Sequence, residues 1–311
     1  MKLEETGMSQ RMQEEAKARA KEKLAKQVEE DFSRRREERR NLENGWLLNI
    51  NFFSGNQYCD VSPRGGVEDE DSRFYWQSRR VFNHIAPTVD TRIAKLEKMK
   101  PELKVRAFSD EDGDLKAAQL ATGILKYAQE RIALQDTISR GLMWSETCGS
   151  VFYKVLWNEK GGRQVAVDEG DTPIYEGEVQ VVVVPPFEIF PDRLDVEDFD
   201  GVHSVIHAQI VSTEYVRQRF GIALKGSVIT DIGGYSEPSA GKNTIFAQYT
   251  KAKTEDGVLL IERYTKPTEE YPEGRLEIVA EGKLLYEGNL PYCNGARGEK
   301  GFPFVKQACL R

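Results

Sequence analysis

Carboxylates gather at Asp192, Asp195, Glu197, Asp198 and Asp200, just past a segment patterned as a strand, and such a group could hold Mg²⁺ or Ca²⁺ through hard oxygen ligands. The spacing fits no EF-hand loop, which needs a Gly at its sixth position and a Glu at its twelfth. An acidic surface loop is the expectation; a metal-dependent nuclease or hydrolase built on Asp192 to Asp200 is the alternative. His203 and His207 would share one face of a helix or a strand, so a two-histidine metal site is geometrically open to them. No Glu lies between them as in the HExxH motif, and Val202, Val205, Ile206 and Ile210 around them favour a strand with two ordinary histidines. Gly241-Lys242-Asn243 lacks the upstream glycine of a phosphate-binding loop, and Asn243 stands where a Ser or Thr would meet Mg²⁺. There is no GxSxG elbow, and Cys59, Cys148, Cys293 and Cys309 lie far apart without CxxC spacing, as reduced thiols would. No residue is therefore assigned as catalytic, cofactor-binding or metal-ligating, no cofactor is expected, and the chain is not expected to be an enzyme.

The elements that would carry these residues are legible in the hydrophobic periodicity. From Ser9 to Arg40, Met12, Ala16, Ala20, Leu24, Val28 and Phe32 fall four apart among dense opposite charges, which predicts a long, largely solvated helix. The run Arg34, Arg35, Arg36, Arg39 and Arg40 is interleaved with Asp31, Glu37 and Glu38, so a solvated or subunit-contacting face is expected ahead of a DNA contact. Trp46 to Phe53, after Asn44-Gly45, is too apolar for a surface and is expected in the core. Ile85, Val89, Ile93 and Leu96 stripe a helix that must end before Pro101. Leu103, Val105 and Ala107 then alternate with Lys104 and Arg106 as a half-buried strand would. Past the acidic turn Ser109 to Asp114, Asp114 is placed to cap a helix carrying Leu115, Ala118, Leu120, Ile124 and Leu125.

A further helix follows over Ile132 to Thr147, with Gly149 as its left-handed stop. Strands are expected at Val151 to Trp157, Gln164 to Val167, Ile174 to Tyr175 and Glu178 to Val184, joined as one antiparallel sheet. The last is so apolar that both its faces should be covered. A short helix spans Thr213 to Arg219, and a Gly-, Ser- and Pro-rich passage from Gly226 reads as a loop. Val258 to Tyr264, Arg275 to Ala280 and Lys283 to Tyr286 form a meander. The fold class is therefore α+β: a long charged N-terminal helix, packed helices and antiparallel sheet. The expected division is an arm at 1–43, a core at 44–225, a loop at 226–250 and a β-rich segment at 251–311.

With 39% hydrophobic residues in 311, the chain can bury one large core or two modest ones. No run approaches the ~20 apolar residues of a membrane span, and the N-terminus lacks a signal peptide's apolar core, so no membrane partner is expected and the chain should stay in the cytoplasm where it is made. Its formal charge of -7 gives no basic excess for gripping phosphates.

Four blocks, taken in order, resemble the portal proteins of tailed bacteriophages of the podovirus type: Phe52-Phe53-Ser54-Gly55-Asn56-Gln57-Tyr58, the stretch Val81 to Leu125, Pro185-Pro186-Phe187-Glu188-Ile189-Phe190-Pro191-Asp192, and Glu214-Tyr215-Val216 to Phe220-Gly221. The resemblance covers roughly residues 30 to 310. It implies a wing-like α+β subunit of a homo-oligomeric ring, commonly of twelve copies, at one capsid vertex of the virion, assembled in the cytoplasm of a bacterial host. Such a ring passes double-stranded DNA inward during packaging and outward at ejection. It implies as partners the terminase large subunit, the major capsid and scaffolding proteins and tail adaptor proteins, and it implies no hydrolysis by the ring itself. An acidic balance suits a conduit through which DNA must slide. Members of the group continue past the Gly301-Phe302-Pro303-Phe304-Val305 segment into long helices, so the DNA-lining stem and crown are expected to lie outside these residues, and no DNA-contact residue is assigned. A scaffold or adaptor that joins other proteins through the charged helix is a further alternative.

Overall fold

A computed structural model describes residues 2–62, 67–69, 76, 80–99, 103–168, 172–195, 198–229, 254–294 and 298–309. In chain order these form α1 (Lys2–Phe53), β1 (Cys59–Val61), β2 (Val67–Asp69), α2 (Ile85–Glu97), α3 (Asp112–Arg131), α4 (Leu134–Cys148), β3 (Ser150–Asn158), β4 (Gln164–Val167), β5 (Pro173–Tyr175), β6 (Glu178–Val184), β7 (Ile189–Pro191), β8 (Ser204–Ser212), α5 (Thr213–Phe220), β9 (Ser227–Ile229), β10 (Thr254–Thr265), β11 (Arg275–Ala280), β12 (Lys283–Gly288), β13 (Cys293–Asn294), β14 (Glu299–Lys300) and β15 (Phe304–Ala308). Every strand pair is antiparallel, and the class is α+β.

The chain divides into two compact units, one of Met1–Val81 with Phe187–Phe302, the other of Phe82–Pro186 with Pro303–Arg311. These boundaries differ from the four segments expected from sequence. The helix runs unbroken through Asn44-Gly45, where the arm was expected to end, because Trp46, Ile50 and Phe53 continue the buried stripe of the preceding turns. Most of 226–250 lies outside the described residues, but Ser227–Ile229 is a strand paired to β10.

In the first unit, α1 lies on a six-stranded sheet of order β12-β11-β10-β8-β7, with β9 also on β10. Ala25, Val28 and Phe32 pack on Phe190, Ile206, Ala208, Ile261 and Val279, with the Phe32 and Phe190 rings edge to face at 4.9 Å. Trp46 meets Phe187 in the same way at 5.1 Å. The apolar stripe is thus covered from Ala25 onward, whereas Ala16 and Ala20 are exposed. The helix ends where Gly55 adopts φ +95°, a conformation a β-carbon disfavours.

In the second unit, α4 packs its buried Leu142, Met143 and Trp144 against the sheet β15-β3-β6. Close approach is permitted by Gly141, where a β-carbon would overlap the Tyr153 hydroxyl. Gly149 caps α4 at φ +84°. The Asn83 side chain accepts from the Ile85 and Ala86 N–H groups at the start of α2, and α2 ends at Glu97, ahead of Pro101.

Three expectations need correcting here. Residues 103–107 form no strand: among the described residues no neighbouring strand offers a ladder, and the segment is tied instead by the Val105 N–H to Thr122 Oγ1 at 3.0 Å. Asp114 is not the cap of α3, which starts at Asp112; it lies in the first turn, accepts from the Ser109 hydroxyl at 2.5 Å, and with Asp112 complements the helix dipole. The strands after α4 are not one sheet, since β3 pairs directly with β6 and β15 while β4 and β5 form a separate two-stranded ribbon.

Candidate functional site

The acidic cluster is occupied by its own backbone. Asp192 accepts the His203 N–H at 3.2 Å and the Ser204 N–H at 3.1 Å, locking the end of β7 to the start of β8. Asp198 accepts the Asp200 N–H at 2.9 Å, and Lys266 Nζ donates to the carbonyls of Phe199 and Asp200. Asp195 pairs with Arg193 at 2.7 Å, which holds its carboxyl below the usual range. Glu197 lies outside the described residues. Among the described residues, no group of three or more His, Cys, Asp or Glu side chains is arranged to hold a metal ion.

The two histidines separate. His203 is exposed, while His207 is 2% exposed, with Nδ1 3.1 Å from Glu262 and Nε2 3.6 Å from Glu188. Tyr264 donates to the same Glu262 at 2.8 Å, and burial pushes the Tyr264 hydroxyl well above its usual pKa. This enclosed polar group ties β8, β10 and the turn before β7 together. Sequence reading did not find it, because 188, 207 and 262 meet only through strand register.

The arginine run is the largest departure. Arg35 and Arg39 are 5% and 2% exposed, not solvated. Arg35 donates to the carbonyls of Phe190 and Ser204 at 3.1 and 3.0 Å and to Ser204 Oγ at 2.6 Å, with Asp31 as counterion at 2.8 Å. Arg39 donates to the carbonyls of Phe187, at 2.8 Å, and Ile189, pairs with Glu43, and lies 3.7 Å over the Phe190 ring. Burial pulls the Arg39 guanidinium down and the Glu43 carboxylate opposes it. Burial alone would raise Asp31, but hydrogen bonds from Arg35 and Arg34 outweigh it and hold that carboxyl low. Arg34 and Arg40 remain at the surface, paired to Asp31 and Glu37. The spacing of 35 and 39 matched the buried stripe; their charge concealed it.

What the chain leaves open is apolar surface on the second unit. In α3, a 20-residue helix with no buried residue, Leu120, Ile124 and Tyr127 are 67%, 58% and 60% exposed at i, i+4, i+7 spacing. Phe108 is fully exposed, and Val165 and Val167 of β4 are bare as well. Val179 and Val182 of β6 are 39% and 38% exposed, so the expected cover on both faces of that strand is not supplied by the described residues. Apolar patches of this kind mark contact surfaces. A cleft of about 370 Å³ between Trp157 and the Pro173-Ile174-Tyr175 strand adds to the same ribbon. Among the described residues no helix is long and apolar enough to cross a membrane. Compared with known proteins, the chain matches no protein-family model and no curated protein.

Proposed function

We propose that this chain is a subunit of a portal-type ring, the wing portion of a head-to-tail connector through which double-stranded DNA enters and leaves a phage capsid. The observation that carries the proposal is the ordered set of four blocks similar to podovirus-type portals. Three of those blocks fall at joints of the fold. Gly55 turns the chain off α1, Phe187 to Phe190 supply the carbonyls that take Arg35 and Arg39, and Gly221 ends α5 at φ +69°. The uncovered apolar stripe of α3 supports an assembled state, because an apolar helical face needs cover.

The test is native mass spectrometry with negative-stain imaging of the purified chain and of any longer reading frame that contains it. Rings of about twelve copies are expected. A stable monomer or dimer in both forms at high concentration would overturn the proposal, and a stoichiometric complex with a different protein would favour the adaptor alternative.

A further inference from the structure

In the sheet β15-β3-β6, β3 is central, so among the described residues β15 and β6 are its two edges and lie on opposite sides of it. Both are antiparallel to β3 and therefore run in the same direction as each other. An edge strand directs alternate N–H and C=O groups away from its sheet, and folds blunt such edges with proline, lysine, bulges or very short strands. Strand β6 has none of these. It runs Glu-Val-Gln-Val-Val-Val-Val, keeps register with β3 without a shift, and its single charge, Glu178, sits at its first position beside Arg131 at 2.6 Å. Strand β15 also pairs without a shift and carries one such device, Lys306, which is half-buried. The two edges thus share direction, and Val182 and Val305 stand 38% and 56% exposed on them.

We propose that the β6 edge of one copy receives the β15 edge of a second copy as a parallel strand, so that the sheet continues from subunit to subunit. This head-to-tail contact uses both edges, whereas a two-fold β6 to β6 contact would leave β15 bare. Repeated with a constant rotation it closes into a ring, and that closure rests on the portal reading.

The experiment uses two full-length edge variants, Val182→Lys and Val305→Lys, at side chains exposed in the single chain. Each alone is expected to assemble at least tenfold less than the parent, with melting unchanged. Mixed in equal amounts they should form dimers and stop there, because only the intact β6 edge of one and the intact β15 edge of the other remain. Amides in 178–184 and 304–308 should exchange more slowly in parent assemblies than in dilute chain. Dimers of Val305→Lys by itself would overturn the head-to-tail contact in favour of two-fold pairing. Parent rings with both edges exchanging freely would overturn the inference and leave the portal reading standing. Open chains of copies with both edges protected would support the inference and overturn the portal reading, and a parent that never associates would overturn both.

Discussion

Helices α1 and α3 are both amphipathic, yet their fates in the folded chain are opposite. Helix α1 buries Ala25, Val28, Phe32, Trp46, Ile50 and Phe53 and takes two arginines down with them; α3 buries nothing. The first unit satisfies its charges internally, with Arg35 and Arg39 donating to strand carbonyls beside Asp31 and Glu43. The second presents Leu120, Ile124 and Tyr127 outward and, among the described residues, leaves two strand edges of its sheet unpaired. An apolar stripe states that a face wants cover, and the difference between the two helices is whether the same chain provides it.

The sharpest way to break that contrast is at Arg39. Arg39→Ala should cost about 3–5 kcal/mol in urea unfolding, because it leaves the buried Glu43 carboxylate and the carbonyls of Phe187 and Ile189 without their donor. A loss under about 1 kcal/mol would mean that the buried pair does not hold α1 to the sheet. In the second unit, Gly141→Ala should cost about 1–3 kcal/mol: the new methyl meets the Tyr153 ring, and this overpacking exceeds the roughly 1 kcal/mol of helix propensity gained. A neutral or stabilising result would show that Tyr153 swings away freely, despite its 2.7 Å bond to Gln307.

Acid titration separates the units more gently. The folded pKa of Asp31 lies below its ordinary 3.8, so its contribution is present above that value and is lost as pH falls through the lower folded value. The stability gap between the parent and Asp31→Asn should therefore be widest above pH 4 and shrink in more acid solution; a gap independent of pH would contradict the pairing with Arg35. The smallest effect belongs to α3. Ile124→Gln should change the stability of the single chain by no more than about 0.5 kcal/mol, as exposed positions do. If calorimetry instead gives a loss above 1 kcal/mol, the outer face of α3 is covered within the chain.

Much of the fold was legible because local chemistry specified it. Gly149 and Gly221 stop helices where left-handed backbone is needed, and Glu281-Gly282 turns the meander. Periodicity placed α2, α4 and the strands β3, β6 and β11 close to their observed limits, whereas β10 starts at Thr254, four residues before the expected Val258. The 103–107 segment was misjudged because alternation describes which side chains want cover, not whether a second strand is present to pair. The buried arginines were misjudged because charge is weighed residue by residue in a sequence, whereas carbonyls at 187 and 190 become neighbours of residues 35 and 39 only after folding.

The sequence by itself determined the α+β class, the presence of the long helix and the limits of several helices and strands, since propensity, capping and period act within a few residues. Tertiary structure alone decided the placement of Arg35, Arg39 and His207, the spending of Asp192 on backbone N–H groups, and the division into two units. It also decided which strands are edges, because pairing partners lie far apart along the chain: β3 meets β15 across about half its length. Burial and edge status are properties of three-dimensional neighbourhoods, and a linear pattern specifies what each residue needs without saying which distant residue supplies it.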